Sequence, residues 1–232
     1  MGTHNLFHDR RLKGGCSYCG SKPDTSDHVP SKILLDDPLP LDLPVVPACS
    51  ACNSGFSWDE EYLACLLECT LCGTASPSGL RRNKVRRSLK KNPALAKRLL
   101  RCMRADDAGR LIWQPEMDRV RNIMVKLARG HAAYELYSQL DEPDEVGFAP
   151  FLAMSDDEKI AFHSARQVAP QAWPEIGSHA FQRAFGEPPD AYQRGGWIVV
   201  QPGRYRYSVE ETGSVFVRMV LSEYLFCTVR WD

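Results

Sequence analysis

The sequence contains no run of apolar residues long enough to span a membrane, and its first residues, Met1 to Asn5, lack the basic and apolar segments of a secretory leader. It also carries no excess of either charge, because 29 lysines and arginines balance 29 aspartates and glutamates. A neutral sum argues against a nucleic-acid partner only if the charges are evenly distributed along the chain. The missing membrane-directed segments predict a cytoplasmic protein with no membrane partner.

The sequence gives little reason to expect disulfide bonds. Its nine cysteines are an odd number, and four of them occur in the spacing of metal ligands, which favours a reducing compartment. With 232 residues, of which 44% are hydrophobic and 25% charged, the chain can bury a core without covalent cross-links. We therefore expect an ordinary globular protein of one large domain or two small ones.

Two Cys-x-x-Cys pairs lie near the N-terminus. Cys16 and Cys19 form the first pair, and Cys49 and Cys52 form the second. Each pair presents two sulfurs from one tight turn, and two such pairs complete the tetrahedral ligand set of a structural zinc ion. The spacing therefore predicts a zinc site that clamps the two ends of the intervening loop together.

Three further polar residues lie inside or beside this clamp. Asp27 and His28 are adjacent within the loop, and Asn53 follows the last cysteine directly. A carboxylate is a hard ligand for Mg²⁺ or Mn²⁺, an imidazole can deprotonate a water molecule, and an amide oxygen can complete a cation site. The zinc ion would bring Asn53 back beside the Asp-His pair.

These seven positions resemble the HNH nucleases, also called ββα-metal or His-Me finger nucleases, and in particular the zinc-bearing branch typified by the phage recombination endonuclease VII. The resemblance covers about the first quarter of the chain. It implies a hairpin followed by a helix, with zinc on the four cysteines, a catalytic Mg²⁺ or Mn²⁺ on Asp27 and Asn53, and His28 as the general base. One position departs from the pattern, since many HNH proteins carry an asparagine shortly before the third cysteine, where this chain has Pro44. A backbone carbonyl would then have to fix the tautomer of His28.

Prolines and a capping motif predict the local structure of this region. Five prolines between Asp27 and Pro47 exclude a long helix and favour short extended pieces joined by a loop at residues 36–40. Ser57 and Glu60 form a capping box ahead of a helix over residues 58–72. The acidic first turn of that helix complements the helix dipole, and the alternative is that one of its carboxylates helps to bind the catalytic ion. The carboxylates are those of Asp59, Glu60 and Glu61.

Three more cysteines, Cys65, Cys69 and Cys72, lie within the same predicted helix. Their spacing is also that of the radical-SAM iron-sulfur motif, which leaves an iron-sulfur enzyme as an alternative. Positions i, i+4 and i+7 share one helical face, however, and free cysteine behaves as a small buried hydrophobe. We therefore predict that these side chains pack in the core.

Positive charge is concentrated in one segment, because residues 81–104 contain eleven lysines and arginines and no acidic residue. Asn92 and Pro93 predict a helix start within it, followed by an apolar stripe at Leu95, Leu99 and Met103. A basic helix with one buried face suits contacts with phosphates, although a solvated face is the alternative. The predicted nucleic-acid-binding residues are Arg81, Arg82, Lys84, Arg86, Arg87, Lys90 and Lys91.

Beyond the basic segment the pattern is first helical. An amphipathic helix is expected from Met117 to about Leu140, with an interruption at Gly130 and His131. An acidic linker at residues 141–145 follows and marks a subdomain boundary.

The C-terminal third predicts two helices and then strands. The helices are expected at residues 156–167, capped by Ser155, and at residues 175–185. Apolar and aromatic runs separated by turn residues then predict a small antiparallel meander. Its strands are expected at residues 197–200, 205–209, 215–221 and 224–229.

Two features of this half have both a functional and a structural interpretation. Residues 204–207 alternate arginine and tyrosine, which suits stacking on unpaired bases, but a half-exposed strand gives the same pattern and is favoured. His131, His163 and His179 have no ligand-spaced partners, so we expect packing or surface histidines rather than catalytic ones.

The sequence thus predicts an α+β protein of three parts. Residues 1–75 form a zinc-stapled ββα-metal unit, residues 76–140 a basic helical region, and residues 141–232 an α+β region with an antiparallel sheet. The expected activity is metal-dependent hydrolysis of phosphodiester bonds, in DNA rather than RNA. The alternatives are a non-catalytic zinc-knuckle module that binds nucleic acid and an RNA-cleaving nuclease of defence or toxin type.

Overall fold

The structure, a computed structural model, describes residues 14–108, 111–163, 193–194, 196–211 and 213–232. It is α+β, as predicted. Its helices are α1 (Ser50–Gly55), α2 (Ser57–Cys72), α3 (Asn83–Lys91), α4 (Pro93–Cys102), α5 (Met117–Leu136) and α6 (Asp156–His163). Its strands are β1 (Thr25–His28), β2 (Val45–Ala48), β3 (Met103–Ala105), β4 (Leu111–Trp113), β5 (Glu145–Pro150), β6 (Gln193–Arg194), β7 (Trp197–Gln201), β8 (Tyr205–Glu211), β9 (Val215–Leu221) and β10 (Leu225–Trp231).

The N-terminal part is an antiparallel hairpin followed by a helix. Strands β1 and β2 pair with His28 opposite Val45, so the Asp-His pair ends the first strand, as predicted. The N–H of Val29 donates to the carbonyl of Pro44 at 2.9 Å and extends the pairing by one further hydrogen bond. The proline-rich connection between β1 and β2 contains one short 3-10 turn, Lys32–Leu34. A longer helix does not form because prolines lack the N–H that it needs.

Helix α2 has nearly the predicted bounds but not the predicted cap. Phe56 stands before its first residue with helical dihedral angles, and no side chain caps this end, so the predicted capping box is wrong. The hydroxyl of Ser57 instead donates to the carbonyl of Asn53 at 3.4 Å. The reason is that α1 leads into α2 through one helical residue, and the carbonyl of Phe56 already accepts from the N–H of Glu60. At the other end Gly73, with a φ of 66°, closes the helix.

The basic segment forms α3 and α4, which meet at the predicted helix start. The side chain of Asn92 accepts a hydrogen bond from the N–H of Leu95 at 3.1 Å, which confirms the cap. Leu95 and Leu99 are buried as predicted, whereas Met103 is half-buried and lies at the start of β3.

Helix α5 runs without a break through Gly130 and His131, so the predicted interruption is wrong. The glycine is there for packing: a Cβ at Gly130 would lie 2.7 Å from Cγ2 of Val29 and 3.4 Å from the hydroxyl of Tyr18. A glycine inside a helix costs about 1 kcal/mol relative to alanine, and here it lets α5 approach the chain beside β1 closely. The helix ends at Leu136, four residues before the predicted end.

The C-terminal strands form one antiparallel sheet in the order β5-β10-β9-β8-β7-β6, and the four predicted strands are confirmed. Strand β5 was not expected, because Glu145 belongs to the acidic stretch that suggested a linker; this residue pairs with Arg230 of β10. In β8 the side chains of Tyr205 and Tyr207 are buried, which confirms the strand interpretation and leaves neither ring available for a base.

A single large core connects the helices and the sheet. It contains Leu63 of α2, Leu99 of α4 and Ile123 of α5 together with Val217 of β9 and Val229 of β10. A smaller cluster joins the hairpin to α5 through Val29, Val46 and Ala133, among others. Side chains from all three predicted regions therefore share one core, with α5 between the hairpin and the sheet.

Two features near the C-terminus complete the fold. Helix α6 begins with the predicted reciprocal cap, in which Ser155 and Glu158 exchange hydrogen bonds. The helix predicted at residues 175–185, with His179, lies outside the described residues. Within the part of the chain that is described, no helix is both long and apolar enough to cross a membrane.

Candidate metal centre and active site

The four predicted zinc ligands come together. The sulfur atoms of Cys16, Cys19, Cys49 and Cys52 all lie within 4.8 Å of one another. The first pair is held by a turn in which the N–H of Cys16 donates to the carbonyl of Ser21 at 2.7 Å. In the second pair, Cys49 precedes the first residue of α1 and its sulfur accepts from the N–H of Cys52. Strand pairing of β1 with β2 therefore aligns the turn with the helix start.

The geometry of these sulfurs suits a tetrahedral metal ion. The sulfurs of Cys19 and Cys49 are 3.7 Å apart, and the edge of a tetrahedron with zinc-sulfur bonds of about 2.3 Å is about 3.8 Å. Hydrogen bonds from Ser21 lower the pKa of Cys19 to about 6, whereas burial raises the pKa of Cys52. A thiol that ionises this readily is a ready ligand for a soft or borderline cation. The cluster can thus hold a metal ion such as zinc.

Asn53 lies beside β1, the strand that ends in the Asp-His pair. Its side-chain N–H donates to the carbonyl of Ser26 at 3.1 Å and to the hydroxyl of Thr25 at 3.3 Å. These two bonds use the nitrogen of the amide, so the amide oxygen is the atom left for another partner. The first turn of α1 therefore ties Asn53 to the strand that ends in the Asp-His pair.

Asp27 makes contacts that the sequence did not predict. Its Oδ2 accepts a hydrogen bond from the hydroxyl of Tyr18 at 2.7 Å and lies 2.6 Å from Nζ of Lys126. Oδ1 accepts no hydrogen bond from another described residue. One carboxylate oxygen is therefore engaged by two donors, and the other is left for a further ligand.

Lys126 is the centre of a buried polar network. Its side chain is fully buried, and Nζ lies 2.8 Å from Oε1 of Glu60 and 2.9 Å from the hydroxyl of Ser31, in addition to its contact with Asp27. Three acceptors satisfy the three protons of the ammonium group. The hydroxyl of Ser31 itself donates to Glu60 at 2.6 Å. Two carboxylates from different elements are thus held together by one buried cation.

The three acidic residues near the start of α2 have separate partners. Glu60 belongs to the network around Lys126, Asp59 binds Arg119 and Asn122 of α5, and Glu61 accepts a hydrogen bond from Ser88. Of the three, Glu60 alone shares a partner with Asp27.

His28 ends β1 and is half-buried. Burial and the positive charge of Lys32 lower the pKa of its imidazole below the usual value near 6.5, while Asp27 raises it. The ring is therefore neutral, and able to accept a proton, at pH 7. No described residue hydrogen-bonds to the ring, and the carbonyl of Pro44 accepts from Val29 rather than from His28. The geometry thus leaves both ring nitrogens without a bond that would fix the tautomer.

The cysteines of α2 have the predicted packing role. Cys65 and Cys69 are buried, and burial raises the pKa of each thiol to about 12. Cys72 is half-buried and its thiol donates to Glu68 at 3.5 Å. Thiols that resist ionisation in this way are poor metal ligands. In the described ranges, the cysteine cluster that could hold a metal is the N-terminal one.

The predicted nucleic-acid-binding residues divide into two groups. Arg82 is buried, and its guanidinium binds Asp36 and the carbonyls of Ile33 and Leu35. Lys84 pairs with Asp37 at 2.8 Å. These cations fasten α3 to the hairpin connection.

The remaining members are more accessible. Arg86 is half-buried and donates to the carbonyl of Leu80 at 2.6 Å. Arg81, Arg87, Lys90 and Lys91 are exposed. The surface that α3 presents to solvent therefore carries positive charge from residues of this second group.

Lys126 and Tyr18 are the residues of this site that sequence reasoning missed. A signal for Lys126 was present, because it lies one residue before Leu127 and three after Ile123, on the apolar face of α5. A charged residue at such a position requires a buried partner. Nothing in the pattern identified that partner as Asp27.

Comparison with known proteins adds no assignment. No protein-family model matches this chain, and neither the curated proteins nor the solved structures yield a significant match.

Proposed function

We propose that this protein is an HNH-type, metal-dependent endonuclease that hydrolyses phosphodiester bonds, with DNA as its substrate. One observation carries the proposal: Asp27 and His28 end the first strand of a hairpin, and the helix after the second strand brings Asn53 against that strand beside four clustered cysteines. An imidazole, a carboxylate and an amide on one hairpin and the helix that follows it are the groups that the proposed hydrolysis needs.

The proposed chemistry follows from the roles of these side chains. His28 accepts the proton of a water molecule that attacks the scissile phosphorus, because its imidazole is neutral at physiological pH. Asp27 supplies Oδ1, and Asn53 its amide oxygen, to a divalent cation. A bound Mg²⁺ or Mn²⁺ supplies charge stabilisation for the phosphorane and the leaving oxygen.

Zinc on the cysteine cluster is proposed to be structural. Four sulfur ligands leave no position open for a water molecule, so a zinc ion there takes no part in hydrolysis. Its effect is to hold Cys16 and Cys19 against the start of α1, and hence Asn53 near Asp27.

The positive surface of α3 and α4 supports a nucleic-acid substrate. Exposed cations at Arg87, Lys90 and Lys91 have no acidic neighbour within residues 81–104. Phosphate contacts of this kind bind nucleic acid without regard to sequence.

The proposal is tested by incubating purified protein with supercoiled plasmid, single-stranded DNA and RNA in the presence of Mg²⁺ or Mn²⁺. The expected result is metal-dependent cutting of DNA that EDTA stops. His28→Ala is expected to abolish cutting and to retain bound zinc, because it removes a base and no ligand. His163→Ala is the matched control, since this histidine lies on the exposed face of α6. Unchanged cutting by His28→Ala would remove this residue from the mechanism.

A second candidate is a zinc-bearing module that binds nucleic acid without cleavage. The ammonium of Lys126, 2.6 Å from Asp27, favours it because a buried cation already neutralises the carboxylate that would bind the metal. Binding of nucleic acid with no cutting of any substrate, in either metal, is the result expected of this candidate.

A further inference from the structure

One large aromatic side chain is left in solvent at the start of α2. The side chain of Trp58 is 68% exposed, although residues 62–69 of the same helix are buried. An indole ring presents about as much apolar surface as any side chain, and an exposed ring beside cations is a candidate contact surface. Packing against the described residues leaves most of this side chain in solvent.

Trp58 forms one wall of an open groove of about 690 Å³ between α2 and the basic helices. Tyr62 and Leu95, both buried, lie beneath the groove, and Lys91, Arg98 and Arg119 add positive charge. The acidic residue in the lining, Glu61, accepts a hydrogen bond from Ser88. The lining therefore combines an accessible aromatic face with an excess of cations.

The cations of the groove are not equally available. Arg119 is committed to Asp59 and Glu116. Arg98 is half-exposed and shares Glu116 at 3.2 Å, and Lys91 forms no ion pair within the described residues. Lys91 is thus the most available of the three cations, and Arg98, whose side chain is 48% exposed, is more available than Arg119 at 28%.

We propose that this groove binds a single-stranded segment of nucleic acid, with an unpaired base stacked on Trp58 and its phosphates on Lys91 and Arg98. The inference rests on the proposed function and adds to it a substrate class. A planar base matches the indole, and the neighbouring phosphates match the two cations. A base inside a duplex presents its face to its neighbours, so a lone tryptophan reads only unpaired bases.

The groove lies across α2 from the candidate active site. Trp58 and Glu60 are two positions apart and therefore point about 200° apart around the helix. Glu60 faces the network of Lys126 and Asp27, whereas Trp58 faces α4. A strand in the groove would thus be held away from the scissile phosphate, and substitutions there leave the catalytic side chains untouched.

The test measures binding in the His28→Ala background without added Mg²⁺ or Mn²⁺, so that neither cutting nor the catalytic ion is involved. The probes are a fluorescent single-stranded oligonucleotide, the same strand with abasic positions, and the matching duplex. Trp58→Ala is expected to weaken binding of the single strand about tenfold and to leave duplex binding within about twofold. Trp58→Phe is expected to retain most of the affinity, and the abasic strand is expected to show no difference between the Trp58 variants.

Charge is tested separately. Lys91→Gln is expected to weaken binding of the single strand more than Lys97→Gln, which removes the same charge from an exposed position of α4 outside the groove. Leu100→Ala controls for loss of exposed apolar surface on α4.

Three results would overturn the inference: equal losses for single strand and duplex, an effect of Trp58→Ala on the abasic strand, or no effect at all. A second protein that covers Trp58 would give the last result. Since binding is measured without cleavage, selective loss in Trp58→Ala together with a wild type that cuts nothing would retain the groove and reject the nuclease. Cutting by the wild type, with no loss of binding in Trp58→Ala, would retain the nuclease and reject the groove.

Discussion

At the scale of single residues, the most consequential contact is the one between Lys126 and Asp27. A fully buried ammonium is stable only with charged or strongly polar partners, and Asp27, Glu60 and Ser31 supply three of them. The same contact leaves one oxygen of Asp27 for a metal ion. The lysine thus links the stability of the hairpin to the geometry of the candidate active site.

Lys126→Met is expected to destabilise the protein by about 3–5 kcal/mol, because it leaves two partly buried carboxylates beside each other without a cation. Urea unfolding followed by circular dichroism measures the change, and loss of the folded transition at 25 °C would also agree with it. Lys159→Met is the control: that lysine pairs with the highly exposed Asp156 on α6, and such surface pairs contribute about 0–1 kcal/mol. Similar losses in the two variants would show that the network does not stabilise the fold.

Gly130 gives a second prediction at this scale. Alanine normally stabilises a helix relative to glycine, yet Gly130→Ala is expected to cost about 1–3 kcal/mol, because its Cβ would lie 2.7 Å from a methyl group of Val29. Gly55→Ala is the matched change in a helix, since nothing lies within 4 Å of a Cβ there, and it is expected to be neutral or mildly stabilising. Combining Gly130→Ala with Val29→Ala should recover part of the loss. Equal behaviour of the two glycine variants in urea unfolding would contradict the packing account.

At the scale of elements, the hairpin depends on the cysteine cluster. Strands β1 and β2 are four residues each, and a two-stranded hairpin of this size is marginal in water. Its small core contains Val29, Val46 and Ala48, with Tyr18 and Ala133 packed beside them. A metal ion on the four sulfurs would add a cross-link between the turn at Cys16 and the start of α1.

Cys49→Ser is therefore expected to lose the bound metal and unfold the hairpin, because the binding energy of a structural metal is folding energy. Metal content by mass spectrometry and protease sensitivity near residues 14–50 provide the measurement. Cys72→Ser, a change at a half-buried thiol outside the cluster, is expected to retain the metal. A folded, metal-free Cys49→Ser protein would show that the cluster is not a structural metal site.

The features of the helices and strands that the sequence predicted correctly are those set by a local residue pattern. Alternating strands, the cap at Asn92 and the helical cysteines are all consequences of side chains acting on their own backbone or on one face of their own helix. The cap assigned to Ser57 was wrong because the conformation there depends on α1, which precedes it without an extended residue. The break predicted at Gly130 was wrong because a glycine is needed there for close packing against Val29, about a hundred residues away in sequence.

At the scale of the whole molecule, α5 joins the hairpin to the sheet. On the sheet side, the ring of His131 stacks on Tyr207 with centroids 3.6 Å apart, and its Nε2 lies 2.8 Å from the hydroxyl of Tyr205. Burial, and to a smaller extent the charge of Lys126, hold the pKa of His131 well below 6.5. The folded protein therefore keeps this ring neutral where the unfolded chain would protonate it.

This difference predicts how stability depends on pH. Below about pH 6.5 the unfolded state binds a proton at His131 that the folded state does not, so stability falls as the pH falls, by up to about 1.4 kcal/mol per unit from this residue. His131→Phe is expected to have a shallower slope between pH 6.5 and 5 than the wild type, whatever its absolute stability. His163→Gln is the control with an exposed ring. Parallel slopes for wild type and His131→Phe in urea unfolding would refute the account.

The sequence alone determined the class of the fold, the strands of the C-terminal sheet and the four cysteines that lie together, because spacing and alternation express short-range geometry. Only the tertiary structure decided which charges are free. It buried Arg82 in the connection of the hairpin, engaged one oxygen of Asp27 with Lys126, and left Trp58 exposed beside Lys91. Such pairings depend on which distant elements meet when the shared core forms. The local spacing of residues along the chain does not show which elements those are.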